Sequence, residues 1–221
     1  LFDESLASLN AARALNPLNT DHTANLARLH RTWAEFSADA AARQEHLRQA
    51  LAFYQAATEL SPHNAQLYNE WGLVHFLLGD LDAALATYDR SLGLDREFPQ
   101  TYILRSDVHI AREHWPAVID ECRRAVEVEP ELVQGWSAMG YAYSKMDDWE
   151  NAIAANLKVH ALAPADYNTL KNLAILYDRA AQPTQAVAYA EMAIEAAPEG
   201  ERSTMEAFLQ DLRERNGEVE S

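Results

Sequence analysis

The sequence predicts an all-α protein built from helical hairpins that repeat along the chain. Prolines recur every 34 residues at Pro130, Pro164 and Pro198, and Pro62 lies two such intervals before Pro130. Apolar residues follow the 3.6-residue period of amphipathic helices, and no segment shows the alternation that is typical of a strand. A period sustained over this length indicates a solenoid of stacked hairpins.

Residues 133–166 hold one complete copy of the hairpin. Trp136, Gly140 and Tyr143 fall on one face of a first helix, Ala152 lies on the second helix, and Pro164 ends it. This stretch resembles a tetratricopeptide repeat, whose first helix carries a Trp, Leu, Gly and Tyr face and whose second carries an Ala, an aromatic residue and a final Pro. The resemblance implies a right-handed superhelix, here of about twelve helices, that serves as a scaffold.

Four residues depart from the repeat pattern. Asn156 stands where an aromatic residue is usual, and Val159 stands where Ala is usual. Both are interpreted as mild changes in packing. In the preceding repeat, Arg105 and Ser106 replace the usual Leu-Gly pair, which makes that repeat the loosest match.

Taken in order, the elements are expected to form a single solenoid domain. Residues 1–19 form only the second helix of a repeat, and this helix ends at Asn16-Pro17. The next repeat carries 11 additional residues near positions 37–43. Four regular repeats follow, and an amphipathic helix with Met205 and Leu212 facing inward closes the stack against water. The divisions are 1–19, 20–64, 65–98, 99–132, 133–166, 167–200 and the capping helix 201–215.

Composition excludes several classes of protein. The net charge of −16 and the pI near 4.8 argue against binding to nucleic acid, which needs clustered Lys and Arg. Cys122 is the only cysteine, so neither an internal disulfide nor a thiolate metal cluster can form. No apolar run of this acidic chain approaches the roughly 20 residues of a membrane span.

We expect no catalytic residues, no metal site and no cofactor, and therefore no enzyme. His30, His75 and His109 occupy one position of successive repeats, where Tyr143 and Tyr177 also stand. The three histidines therefore lie in different stacked hairpins, and their spacing is not that of the ligands of a single metal ion. No zinc-protease, EF-hand or phosphate-loop pattern is present.

The first helices supply the candidate binding residues. In tetratricopeptide-repeat proteins these helices line a concave groove, and the positions between the packing residues face into it. By spacing, those positions are Asn25, Arg28, Asn69, Leu73, Phe76, Ile103, Asp107, Ile110, Tyr141, Lys145, Lys171, Asn172, Ile175 and Arg179. Asn25 and Asn172 are equivalent, and an Asn side chain can pair with a peptide backbone. Phe76, Ile103 and Ile110 are expected to be exposed, and apolar patches left in water favour a binding role.

A narrower resemblance covers residues 9–71. The segments 15–28, 31–33 and 61–71 look like the soluble C-terminal repeat region of bacterial O-antigen ligase/polymerase-type membrane proteins. The resemblance implies glycan transfer by a membrane part whose catalytic residues lie outside this chain. Because the chain begins in mid-repeat, we expect it to be a fragment preceded by membrane helices. The compartment stays open between this surface location and the cytoplasm.

Three hypotheses of function follow. The leading one is a non-catalytic interaction module that binds a peptide or partner domain in the concave groove. The arrangement with which chaperone-binding relatives hold a C-terminal carboxylate is not reproduced, so a heat-shock-protein adaptor is disfavoured. The second hypothesis is an accessory domain in surface-polysaccharide assembly. The third is a homodimer formed through the apolar face of helix 2–15, which lacks the first helix of its repeat.

Overall fold

Helices account for all the regular secondary structure in the computed structural model, which describes residues 2–217. They are α1 (Phe2–Leu15), α2 (Thr20–Phe36), α3 (Ala40–Leu60), α4 (Ala65–Leu77), α5 (Leu81–Leu94), α6 (Pro99–Ala111), α7 (Trp115–Val128), α8 (Val133–Lys145), α9 (Trp149–Leu162), α10 (Tyr167–Arg179), α11 (Pro183–Ala196) and α12 (Arg202–Arg215). The predicted all-α class and the helical hairpins are confirmed. In the same range no helix combines the length and apolar character that crossing a membrane requires.

Short polar residues begin many of these helices. The side chains of Asn64, Asp80, Asp148 and Asp166 each accept a hydrogen bond from a backbone N–H in the first turn of the helix that follows. Such caps satisfy N–H groups that have no partner inside the helix. The hairpin boundaries therefore follow from the local sequence.

The turn inside each regular hairpin uses a left-handed residue. Gly79, Glu113, Asp147 and Ala181 have φ between 54° and 82°, and they are 34 residues apart. Only glycine adopts this conformation without a steric penalty. Three of the four turns thus form despite an unfavourable residue, which indicates that the packing of the flanking helices sets the turn.

The chain divides into two compact units, Leu1–Val108 and His109–Ser221, and the boundary lies inside α6. The N-terminal unit contains α1 to α5 and most of α6. The C-terminal unit contains the end of α6 and α7 to α12. The expectation of a single domain stays a prediction.

The additional residues of the long repeat are helical. Helix α2 has 17 residues and α3 has 21, whereas the later first and second helices have 13 and 14. Tyr54 is the fifteenth residue of α3, but its equivalent Tyr88 is the eighth residue of α5. The extension therefore adds about one turn to the end of α2 and about two turns to the start of α3, around the predicted position.

An aromatic cluster fills this extension. Trp33 stacks on His46 with ring centroids 4.3 Å apart and on Phe2 of α1 with centroids 5.1 Å apart. His30 Nδ1 lies 3.2 Å from His46 Nδ1, close enough for one ring to donate a hydrogen bond to the other. The ring of Phe36, at the end of α2, stays exposed. Helix α1 thus packs on α2, and the homodimer through α1 stays a prediction.

Acid is expected to destabilise this cluster. Burial, and next the neighbouring His46, lower the pKa of His30, and Glu45 opposes them. Because the pKa is lower in the folded state, protonation favours the unfolded chain, so stability is full above the unfolded pKa of about 6.5 and falls as the pH drops below it. Urea unfolding at about pH 7.5 and about pH 5.5 should give a lower midpoint in acid.

Two variants test the assignment to His30. His30→Asn should show a smaller loss of stability in acid than the wild type. His63→Asn is the matched control, because His63 is exposed in the connection before α4. Part of the loss should survive in His30→Asn, since burial also lowers the pKa of His75. An unchanged loss in His30→Asn would contradict the prediction.

One buried position links first and second helices in every repeat. Tyr54, Tyr88, Cys122, Asn156 and Ala190 follow one another at 34 residues, and all are buried. Where the first helix has a glycine, at Gly72 and Gly140, the side chain at this position, Tyr88 or Asn156, lies beside that glycine. The side chain is a large ring in the first two repeats and a smaller group in the last three.

The C-terminal unit ends in the predicted capping helix. Met205, Leu209 and Leu212 of α12 are buried in one cluster with Ala190 and Ala193 of α11. The other face of α12 is exposed and polar, as an amphipathic cap requires. The predicted inward face of this helix is confirmed.

Candidate functional site

A cavity of about 550 Å³ opens on the first helices of the C-terminal unit. From α8 it is lined by Ser137, Gly140, Tyr141, Ser144 and Lys145; from α9 by Trp149 and Asn156; and from α10 and its cap by Asp166, Asn168, Thr169, Asn172, Ile175, Leu176 and Arg179. The α8 residues fall at i, i+3, i+4, i+7 and i+8, and so they share one helix face. We call this space the α8–α10 cavity.

Five predicted binding residues meet there. Tyr141, Lys145, Asn172, Ile175 and Arg179 all line the α8–α10 cavity. The ring of Tyr141 and the side chain of Ile175 are exposed, and Asn172 is exposed as well. The structure therefore places these side chains where a ligand can reach them. Their role in binding stays a prediction.

The cavity carries two cations at one end. Lys145 and Arg179 are the last residues of α8 and α10, at equivalent positions of successive repeats. Lys145 Nζ lies 5.2 Å from the centre of the Tyr141 ring, which is a cation–π contact. Within residues 2–217, neither cation has a carboxylate within 4 Å. Both positive charges are thus available to a ligand, although the chain has a net charge of −16.

The one carboxylate in the lining is already engaged. Asp166 accepts hydrogen bonds from the backbone N–H of Thr169 at 2.8 Å and from its hydroxyl at 2.7 Å. This is an N-cap, which fixes the start of α10. The Asp166 carboxylate therefore caps α10 and does not neutralise Lys145 and Arg179, which lie at the opposite end of the cavity.

A buried amide forms part of the cavity wall. Asn156 is 7% exposed, and its Nδ2 donates a 2.9 Å hydrogen bond to the carbonyl of Ala152. A Cβ added at Gly140 would lie 2.4 Å from this Nδ2. Because the Ala152 oxygen is an acceptor, the amide must present its N–H₂ to it, and Oδ1 is left facing away. In the described part of the chain Oδ1 has no hydrogen-bond partner.

Lys171, also predicted to bind, is engaged outside this cavity. Its Nζ lies 3.6 Å from Glu201 Oε2 and 5.1 Å from the centre of the Tyr167 ring. The Tyr167 hydroxyl donates to the same carboxylate at 3.1 Å. Lys171 thus ties α10 to the start of the capping helix.

In the N-terminal unit, Asn25 and Arg28 line a second cavity of about 610 Å³ on α1 and α2. The Arg28 guanidinium donates two hydrogen bonds to Glu70, at 2.8 and 2.9 Å, and a third to Asn25 Oδ1 at 2.9 Å. The hydrogen bonds that Arg28 donates to Glu70 raise the pKa of Arg28. This cation is therefore already neutralised, in contrast to Lys145 and Arg179.

Two predicted groove residues are buried instead. Ile103 is 7% exposed and Asn69 is 5% exposed, so the expectation that Ile103 is exposed is wrong. Asn69 Nδ2 donates to Thr101 Oγ1 at 2.8 Å, which joins α4 to α6. Helix α6 buries Thr101, Tyr102, Ile103, Ser106 and Val108, which are the same repeat positions that α4 buries as Leu67, Tyr68, Asn69, Gly72 and Val74. Ile103 thus occupies the buried position that Asn69 occupies one repeat earlier.

The remaining predicted residues are intermediate cases. Leu73 and Ile110 are half-buried, and Phe76 is half-buried against the cluster around Tyr88. Their expected exposure is thus only partial. Asp107 is exposed as a residue, but burial around its carboxyl raises the pKa of that group.

Sequence reasoning missed the cavity wall that comes from a second helix. Trp149 and Asn156 of α9 line the α8–α10 cavity but were not among the candidates, which came from the first helices alone. Thr169 of the first helix α10 was not among the candidates either. The signal for Asn156 was visible, since an amide replaces the usual aromatic residue. Among residues 2–217, no three His, Cys, Asp or Glu side chains form a group that could hold a metal ion.

Comparison with known proteins supports the repeat assignment. Residues 37–100 match the family model for the tetratricopeptide repeat. The general transcriptional corepressor ssn6 of Schizosaccharomyces pombe is 29% identical over 147 residues, which is 58% of this chain. The chain spans only 13% of the length of that relative.

Solved structures share the fold at low sequence identity. MamA superposes with a TM-score of 0.68 at 18% identity, covering 84% of this chain and 94% of its own. YrrB, described as a TPR protein with an unusual peptide-binding site, gives a TM-score of 0.65 at 19% identity, covering 86% and 93%. The matched segment and the shared fold together support a tetratricopeptide-repeat protein, and this repeat fold indicates protein–protein interaction.

Proposed function

We propose that this chain is a non-catalytic interaction module that binds an extended peptide segment of a partner protein in the α8–α10 cavity. The observation that carries the proposal is the pair of cations Lys145 and Arg179, which have no carboxylate within 4 Å among residues 2–217. They lie at one end of a cavity with exposed apolar and amide side chains. Peptide binding is described for YrrB, which has the same fold. The cavity gives this chain a place for the same kind of ligand.

The chemistry of the lining suggests how a peptide is held. Asn172 can donate to a backbone carbonyl and accept from a backbone N–H at once, which fixes an extended strand without reading its sequence. Ile175 and Tyr141 offer apolar surface to side chains. Lys145 and Arg179 attract acidic residues and speed their encounter. Affinity for the peptide is therefore expected to fall with added salt.

The test is a peptide library displayed on phage and selected against the full chain. Peptides that the wild type enriches should bind the double variant Lys145→Glu, Arg179→Glu at least about tenfold more weakly, because two attractive charges become repulsive. Lys158→Glu is the matched control, since Lys158 is an exposed lysine outside the cavity. Its affinities should change by less than about twofold.

Two outcomes contradict the proposal. One is a selection in which no peptide is enriched over an unrelated helical protein. The other is a set of peptides that bind the double variant as tightly as the wild type.

The alternative hypothesis, an accessory domain of an O-antigen ligase/polymerase-type membrane protein, stays a proposal. It rests on the sequence resemblance over residues 9–71, and peptide binding in the α8–α10 cavity is compatible with it. Sequencing the gene upstream of Leu1 tests it directly. An upstream region without several apolar spans would remove this alternative.

A further inference from the structure

The α8–α10 cavity lies where other repeats place a tyrosine ring. Tyr88 and Asn156 occupy the same repeat position, and so do the glycines that face them, Gly72 and Gly140. A Cβ at Gly72 would lie 2.4 Å from Cε1 of the Tyr88 ring, so that ring fills the space beside the glycine. The later repeat keeps the glycine but has a much smaller side chain, and the cavity includes both Gly140 and Asn156.

The replacement is polar, and its hydrogen bonding is incomplete. Asn156 is more than nine-tenths buried, and in the described structure only its Nδ2 is paired, with the carbonyl of Ala152. Oδ1 of Asn156 is not one of the fully buried polar atoms among the described residues, so the cavity reaches it. It can therefore accept a hydrogen bond from a donor on a molecule that enters the cavity.

The other walls suit a flat ring. Tyr141 of α8, Trp149 of α9, and Ile175 and Leu176 of α10 surround the same space. Aromatic side chains bury large apolar areas and pack edge to face, as the ring of Trp115 already does on Tyr141 at 5.7 Å. An aromatic ligand group that carries one hydrogen-bond donor would suit these apolar and aromatic walls, because its donor could bond to Asn156 Oδ1.

We propose that the α8–α10 cavity is specific for a tyrosine of the partner, whose hydroxyl donates to Asn156 Oδ1 while acidic residues beside it pair with Lys145 and Arg179. The inference rests on the proposed function, peptide binding in this cavity. In this view the ring of the ligand's tyrosine takes the place that the Tyr88 ring has in the earlier repeat and that Asn156 leaves open. A phenylalanine has no hydroxyl group and cannot donate to Oδ1. A phosphorylated tyrosine presents phosphate oxygens, which accept hydrogen bonds, to Oδ1, which is also an acceptor.

Three capped peptides test the contribution of the tyrosine hydroxyl separately from that of the acidic side chains. They are acetyl-Glu-Tyr-Glu-amide, acetyl-Glu-Phe-Glu-amide and acetyl-Gln-Tyr-Gln-amide, each titrated into the full chain and followed by NMR of backbone and side-chain amides. The Glu-Tyr-Glu peptide should bind about three- to tenfold more tightly than the Phe peptide, as one net hydrogen bond predicts. It should also shift the side-chain amide signals of Asn156.

Variants at position 156 complete the test. Asn156→Leu keeps the approximate size but removes the acceptor, so the preference for Tyr over Phe should disappear. Asn156→Tyr restores the ring of Tyr88 beside the retained glycine, and it should block all three peptides. The comparison of the Tyr and Phe peptides on the wild type needs no variant, so a misfolded variant does not weaken the test.

The outcomes distinguish this inference from the proposed function. Equal affinities for the Tyr and Phe peptides, or a preference that persists in Asn156→Leu, overturn the tyrosine inference. If library peptides still depend on Lys145 and Arg179 in that case, peptide binding in the cavity stands. A Tyr preference that is insensitive to both cations would support the ring site and contradict the acidic flanks.

Discussion

Replacing Tyr88 with alanine is expected to lower the free energy of unfolding by about 3–5 kcal/mol, the usual range for removing a large buried ring. The ring is 1% exposed and belongs to a cluster with Ala84 and Val108, against which Phe76 and Leu81 also pack. The opposite helix cannot fill the space, because Gly72 has no side chain there. Much of the vacated volume should therefore remain as a cavity.

Chemical denaturation of the wild type and variants measures this effect, with the N-terminal unit followed by a local probe because the chain has two units. Tyr88→Phe is the matched control: it keeps the ring and removes only the hydroxyl, so its loss should stay below about 1.5 kcal/mol. A loss below about 1 kcal/mol for Tyr88→Ala would show that the cluster collapses around the alanine. That result would contradict the view of Tyr88 as a core ring.

The hairpins could be predicted from the sequence because their causes are local. Asp80 and Asp148 cap the helices that follow them, and Pro164 ends a helix wherever it stands. The 34-residue period repeats these local signals, so the same hairpin is predicted independently in each repeat. The same period predicts additional residues in the long repeat, and the structure shows that α2 and α3 are longer than the later first and second helices.

The candidate site could be predicted only in part, because availability depends on partners distant in the sequence. Arg28 and Arg179 look alike in a list of inner-face residues. Arg28 is held by Glu70, 42 residues away, whereas Arg179 has no such partner in the described structure. Asn69 is likewise held by Thr101, 32 residues away. Contacts between successive first helices decide which side chains remain available to a ligand, and the repeat pattern does not encode them.

The interpretation of Asn156 as a mild packing change was incomplete for a related reason. The sequence shows that an amide replaces an aromatic residue, but not where the freed space goes. In the structure that space is part of an open cavity, and among residues 2–217 no protein group donates a hydrogen bond to the amide oxygen. The neighbouring departure, Val159, is buried and is not part of the α8–α10 cavity lining, so for it the packing interpretation suffices.

Substituting alanine at two helical glycines is expected to change stability in opposite directions. By helix propensity alone, each substitution should stabilise the protein by up to about 1 kcal/mol. Gly93 lies in α5 with nothing within 4 Å of an added Cβ, so Gly93→Ala should show that gain. At Gly72 the same Cβ would lie 2.4 to 3.0 Å from three atoms of the Tyr88 ring. Gly72→Ala should therefore destabilise the protein by about 1–3 kcal/mol.

A double-mutant cycle identifies the Tyr88 ring as the cause. In a Tyr88→Ala background the clash is absent, so Gly72→Ala should become neutral or stabilising, and its methyl group should fill part of the vacated space. Contacting residues typically show coupling energies of about 0.5–3 kcal/mol, whereas distant sites add independently. Gly93→Ala, combined with Tyr88→Ala, should show additivity. If Gly72→Ala destabilises both backgrounds equally, the cost arises in the backbone of α4 rather than at the ring, and the pairing of glycine with tyrosine would not explain the absence of a side chain at that position.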